Sequence, residues 1–118
     1  MISGIGVDIS LAPRFEEMEE SLLEKMFSEK EILNAPSSRQ SEYYASRFAA
    51  KEAFSKALGT GIKGFSLREI TIEENEDGKP YFSLTGRAAE AASGLRLNLS
   101  ISHDGGVCIA MVTAEHEE

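Results

Sequence analysis

The sequence predicts an α+β fold in which a largely antiparallel sheet packs with one long helix and several short ones. Three observations carry the prediction. Residues 47–58 repeat apolar side chains at helical spacing, the first ten residues alternate with period two, and the second half holds four short alternating runs joined by turns. Strand, then helices, then strand–hairpin–helix–hairpin is an α+β order rather than a run of βαβ units.

Met1–Ser10 reads as a strand. Ile5, Val7 and Ile9 alternate with Gly4, Gly6 and Asp8, so the two sets point to opposite faces. The glycines leave their face bare enough for another backbone or a ligand to approach. Asp8 is then a lone carboxylate on a cleared surface, although an Asp near a strand end also serves as a turn or cap residue. Pro13 opens a helical segment ending near Phe27, with Phe15, Met18, Leu22, Leu23, Met26 and Phe27 as its stripe. Ser28 caps a second short helix through Leu33, and Asn34–Ser41 is a loop. The long helix starts at Ser41 or Glu42. Ala50, Ala53, Phe54, Ala57 and Leu58 share one of its faces, and Gly59 and Gly61 stand where a helix needs a left-handed terminal residue. Gly59–Ser66 is a linker.

Beyond it, Glu69–Glu74 alternates with Ile70 and Ile72 inward, and Asn75–Pro80 is a turn built around Asp-Gly. Tyr81–Leu84 returns as the partner strand. Gly86–Ser93 is a short alanine-rich helix stopped by Gly94. Leu97, Leu99 and Ile101 alternate with Asn98, Ser100 and Ser102, and Asp104-Gly-Gly turns that strand into Val107–Thr113. Residues 114–118 are a charged tail expected to fray.

At 118 residues the chain makes one domain, residues 1–118, with room for a real core but not for a second unit. No apolar run approaches the roughly 18–20 residues that span a bilayer, and the chain opens with no charged-then-apolar leader. Cys108 is the only cysteine, which excludes an internal disulfide and, with no secretory signal, points to the cytoplasm. Its place on an alternating strand makes it an inert buried thiol. A net charge of −8 argues against nucleic-acid binding. The distribution is uneven: Arg14–Glu31 carries about −4, Arg39–Arg68 about +4, and Glu69–Asp77 five acids with no base. A basic middle in an acidic chain suits an anionic small ligand such as a phosphate.

Four features call for a common explanation: Asp8 beside glycines, Glu52 with Lys56 on a polar helix face, the Asp77-Gly-Lys-Pro80 turn, and Ser102-His103-Asp104 at a hairpin. Taken alone, Glu52 and Lys56 read as a surface ion pair one helical turn apart. Taken with Asp8, they make a carboxylate pair and a lysine able to serve a magnesium ion and a phosphate. No Gly-x-x-x-x-Gly-Lys-Ser/Thr loop is present, which disfavours an ordinary nucleotide hydrolase. His103 shares a face with Leu97, Leu99 and Ile101 and by itself reads as a hydrogen-bonded core residue; its place at the turn leaves a functional role open.

Gly4-Ile-Gly-Val-Asp-Ile9, Arg47-Phe-Ala-Ala-Lys-Glu-Ala-Phe-Ser-Lys-Ala-Leu-Gly-Thr-Gly61, Gly78-Lys-Pro-Tyr81 and Ser100-Ile-Ser-His-Asp104 together resemble holo-[acyl-carrier-protein] synthases. These are the small trimeric members of the 4′-phosphopantetheinyl transferase superfamily, and the likeness runs from residue 1 to about 113 in order and spacing. The resemblance implies that fold, with transfer of 4′-phosphopantetheine from coenzyme A to a serine of apo acyl carrier protein in fatty acid biosynthesis, releasing adenosine 3′,5′-bisphosphate. It also implies that Asp8 and Glu52 bind Mg2+ and that Lys56 acts on the phosphates and leaving group. Arg47, Lys56, Lys79, Ser102 and His103 would line the coenzyme A cleft, shared between protomers of a homotrimer.

One departure stands out. The family's helix after the first strand is rich in basic residues that grip the acidic carrier protein. Here Arg14 and Met18 match, but Glu16, Glu17, Glu19 and Glu20 surround them. Docking would lean on a less acidic carrier, or on Arg14, Arg39, Met18 and Leu22. The competing readings are a non-catalytic module binding coenzyme A or a carrier protein, and a magnesium-dependent phosphoesterase.

Overall fold

The computed structural model describes residues 1–59 and 64–117, so the expectation for Gly61 lies outside the described residues. In chain order the elements are β1 (Ile2–Leu11), α1 (Glu20–Met26), α2 (Glu29–Leu33), α3 (Gln40–Leu58), β2 (Ile70–Glu74), β3 (Pro80–Leu84), α4 (Gly86–Ala91), β4 (Leu95–Asp104) and β5 (Val107–His116). Short 3₁₀ turns precede α1 and β2. Among the described residues all pairing is antiparallel, in a three-stranded sheet of order β1-β5-β4 and a separate β2-β3 hairpin. The α+β prediction holds, with two sheets in place of one.

The long helix forms where the apolar spacing placed it and ends on Gly59 at φ 77°, a left-handed conformation that costs glycine little. Ala50, Ala53 and Phe54 are fully buried, and so are Ala45, Ala49 and Lys51. The helix is thus covered round most of its circumference. Phe54 packs against Phe65 and Phe82 at centroid distances of 5.6 and 5.3 Å, and burying such a ring contributes about 1.5–3 kcal/mol.

The contact that positions everything else is between β1 and α3. A Cβ on Gly6 would stand 2.0 Å from the Ala53 carbonyl oxygen, and one on Gly4 would stand 1.9 Å from that of Ala57. Only glycine lets strand and helix backbones approach this closely. The glycine face of β1 is therefore the covered one, and the Ile5, Val7 and Ile9 face is left open at 63%, 53% and 60% exposure.

Elsewhere the boundaries move. Pro13 starts only a 3₁₀ turn, Ala12–Phe15, and the helix resumes at Glu20. No side chain caps either start, and four glutamates between residues 16 and 20 favour a solvated break. Ser28 does cap α2, in a reciprocal box with Glu31. The tail does not fray at 114, because β5 runs on to His116 opposite Leu95. The loop after β2 is closed by Asn75, whose side-chain oxygen accepts from the N–H groups of Asp77 and Lys79.

Candidate active site

Asp8 lies inside β1, three residues before its end, on the face that the glycines press against α3. Lys56 reaches across from the helix. Its Nζ donates to Asp8 Oδ1 at 3.0 Å and to the Val7 carbonyl oxygen at 3.0 Å. The pairing of Lys56 with Glu52 suggested by their spacing is replaced by pairing with Asp8. The reason is geometric: β1 presents a carboxylate and a carbonyl oxygen at fixed places, and together they outcompete a surface pair worth about 0.3–0.5 kcal/mol.

Glu52 sits one turn before Lys56, partly buried and within electrostatic reach of Asp8. Burial raises its pKa, the Asp8 charge raises it further, and Lys56 and Arg14 partly offset both. Two carboxylates held together at this cost in repulsion make a donor set that a divalent cation satisfies. Magnesium takes one or two protein carboxylates and fills its other positions with phosphate oxygens and water. No group of three or more His, Cys, Asp or Glu side chains converges among the described residues, so the chain supplies this pair and no crowded cage.

A second locus lies at the other end of α3. Two adjoining cavities of about 440 and 350 Å³ share Pro36, Tyr43, Arg47 and Glu74. Arg47 is 14% exposed, with its guanidinium 4.1 Å from the Tyr43 ring centroid. Its Nη1 donates to Ser46 Oγ at 3.2 Å, its Nη2 lies 3.6 Å from the Glu74 carboxylate, and its Nε is buried without a partner. An orphaned donor beside an open groove is a place for an anion. His103 lines the same groove, half exposed, with Nδ1 3.2 Å from Glu42 Oε1. Its strand face is the one expected, but its row lies past Ile101, where α3 begins and the core ends. Lys79 is exposed beside Gly78 and Pro80, which do line the groove. Ser102 points to the opposite sheet face, with Ile109 and Ile9. Arg47 and Lys56 are nine residues apart, which turns their side chains about 180° from each other around the helix. One chain therefore brings Asp8, Glu52 and Lys56 together and keeps Arg47 and His103 in another group.

Residues 4–112 match the family model of the 4′-phosphopantetheinyl transferase superfamily. The chain belongs to that superfamily. It is 44% identical to the holo-[acyl-carrier-protein] synthase of Geotalea daltonii, over 98% of this chain and 99% of that one. It is 42% identical to the Clostridium acetobutylicum synthase, over 98% of each. The solved holo-[acyl-carrier-protein] synthase of Neisseria meningitidis superposes with a TM-score of 0.86 at 38% identity, covering 98% of this chain and 99% of that one. The Bacillus anthracis synthase, solved in complex with CoA (3′,5′-ADP), gives 0.85 at 38% identity, covering 99% of each.

One feature of this phosphopantetheinyl transferase family member escaped the sequence reading. Lys51, the residue before Glu52, is fully buried with Glu31 at 2.6 Å, and burial pushes its pKa down to about 8. Its other two protons go to the carbonyl oxygens of Met26 and Leu67 at 2.9 and 3.0 Å. Glu31 also accepts from the backbone N–H groups of Ser28 and Ile72. The pair ties α2, β2 and the turn before β2 to α3. A signal was there: Lys51 stands within about 60° of Phe54 around the helix, at the margin of the apolar face.

Proposed function

We propose that this chain transfers the 4′-phosphopantetheine arm of coenzyme A to a serine of an apo acyl carrier protein. The reaction is magnesium-dependent, releases adenosine 3′,5′-bisphosphate and serves fatty acid biosynthesis in the cytoplasm. The observation that carries this reading is the meeting of Asp8, Glu52 and Lys56, from opposite ends of the fold's central contact, in a member of this superfamily.

Asp8 and Glu52 would hold a magnesium ion, which would supply charge neutralisation for a diphosphate. The chain's own residues do the rest. Lys56 is anchored on Asp8 and the Val7 carbonyl, which holds its ammonium at the site for a phosphate oxygen and for the leaving group. Arg47, whose side chain lines the groove, would meet the ligand's remaining charge. The serine oxygen forms a bond to the phosphorus carrying the pantetheine arm, and the bond from that phosphorus to the bridging oxygen breaks, leaving with adenosine bisphosphate. The serine proton would go to Glu52 by way of a water or to bulk solvent.

The complete site is built between copies of the chain in a homotrimer. Support comes from the separation of Asp8, Glu52 and Lys56 from Arg47 and His103 within one chain. It comes also from the open sheet face, where Ile5, Val7, Ile9, Leu11, Ile109 and Met111 are all exposed. In a homotrimer such a face would be covered by the neighbouring copies of the chain.

The test is to incubate the chain with magnesium, coenzyme A and an apo carrier protein and weigh the carrier. A carrier heavier by one phosphopantetheine, with adenosine bisphosphate released, is the expected result. Free phosphopantetheine with an unchanged carrier would identify a phosphoesterase, and no product at all would identify a binding module.

A further inference from the structure

We propose that Glu42 is the positioning residue of the Arg47 groove: its carboxylate fixes the His103 ring so that Nε2 is the nitrogen offered to the ligand. The inference rests on reading that groove as part of the coenzyme A cleft.

Glu42 lies in the first turn of α3, where the exposed N–H groups of the helix end favour negative charge. Its Oε1 is 3.2 Å from Nδ1 of His103, and both residues line one cavity. A buried residue holds the two in register. Cys108 is the cross-strand partner of His103, and its thiol donates to the Glu42 carbonyl oxygen at 3.7 Å. The helix start and the strand end are pinned to the same point, so the carboxylate meets the ring in one orientation.

A neutral imidazole carries a proton on one nitrogen and accepts with the other, whereas a carboxylate only accepts. A neutral His103 paired in this way therefore keeps its proton on Nδ1 and turns Nε2 away from Glu42. An exposed ion pair adds little to stability, so the value of this one is directional. The groove's charges sharpen the contrast. Arg39 and Arg47 face it as cations, with Glu42 and Glu74 opposing them. Were Glu42 only a stray negative charge beside a phosphate-bearing ligand, removing it would tighten binding. As a positioning residue, its removal weakens binding.

Nitrogen-15 NMR at alkaline pH, where histidine rings are neutral, reads the tautomer directly. His103 is expected as Nδ1–H in the native chain and in Glu42→Gln, whose amide oxygen still accepts. Glu42→Leu is expected to revert to the Nε2–H form that unconstrained imidazole prefers. Calorimetry with coenzyme A on the magnesium-loaded chain is expected to show binding about tenfold weaker in Glu42→Leu and near native in Glu42→Gln, while both variants lose the same few degrees in unfolding midpoint with the helix-end charge. In a His103→Ala background, Glu42→Leu should add no further loss. A native Nε2–H ring, tighter binding in Glu42→Leu, or a loss that persists in full without His103 overturns the assignment. A native chain that shows Nδ1–H His103 yet binds no coenzyme A upholds the orientation and overturns the reading of the groove.

Discussion

The Lys51 ammonium and the Glu31 carboxylate are 2.6 Å apart with neither side chain exposed. Removing one partner leaves a charge stranded in the core, which costs about 3–5 kcal/mol, against a total stability of about 5–15 kcal/mol for a domain. Lys51→Met is expected to lose that much in urea unfolding. Combining it with Glu31→Leu should recover only part of the loss: the stranded charge is gone, but the Ser28 and Ile72 N–H groups and the Met26 and Leu67 carbonyls lose their partners.

The same lysine gives the stability a pH dependence of definite sign. Burial lowers its folded pKa to about 8, below the usual value of 10.5. Between those values the unfolded chain binds more protons than the folded one, so this group's contribution to stability rises with pH across that window. Urea unfolding at about pH 7.5 and pH 9.5 should show the native chain gaining relative to the Lys51→Met/Glu31→Leu double variant. A loss over that interval would contradict the assignment.

Glu52 is raised by burial and by Asp8, so its charge is held against repulsion while the site lacks a cation. Asp8→Asn and Glu52→Gln should leave the metal-free chain at least as stable as native and abolish magnesium-induced thermal stabilisation. Turnover should fall at least about a hundredfold, because the charge stabilisation lost amounts to several kcal/mol. Lys56→Ala should differ in kind, lowering kcat more than it weakens coenzyme A binding by calorimetry.

Gly6→Ala would put a methyl group 2.0 Å from the Ala53 carbonyl oxygen and 2.7 Å from the Ala57 nitrogen, both backbone. Neither can step aside, so β1 must lift from α3. A stability loss of at least about 3 kcal/mol is expected in urea, beyond the usual range for overpacking. Magnesium stabilisation should vanish with it, because Asp8 rides on the same strand.

Much of this was readable in advance, and what was missed has a common cause. The α3 face, the Gly59 stop, the Ser28 cap and the alternation of β1 are local patterns, set by periodicity and by one left-handed residue. Which face of β1 is covered is not local: it depends on Gly4 and Gly6 meeting Ala57 and Ala53, some fifty positions away. The partner of Lys56 depends on the same contact, and Lys51 found its counter-charge twenty residues back, on α2. Asp8, Glu52 and Lys56 were singled out in the sequence as a group, and the structure places them together. Ser102 and His103 are neighbours in sequence on opposite faces of β4, a consequence of strand pleating that a motif conceals.

Val7→Lys places a charge on the open face of β1, where Val7 is 53% exposed in the single chain. Monomer folding should survive, since none of the described residues covers that position. Light scattering should show the proposed homotrimer reduced to single chains, with transferase activity lost alongside. An assembly unchanged by the substitution would mean that copies meet elsewhere.

Among the described residues β5 is the one ladder partner of β1, with Ile9 opposite Ile109 and Val7 opposite Met111. Strand β1 is made about a hundred residues before its ladder partner, and a closure that non-local slows folding. Until β5 arrives, Ile5, Val7, Ile9 and Leu11 form an unpaired β-prone ribbon open to mispairing with other chains. The carboxylate at position 8 puts a charge into that ribbon, so the residue proposed to hold the metal would also discourage mispairing of the nascent chain.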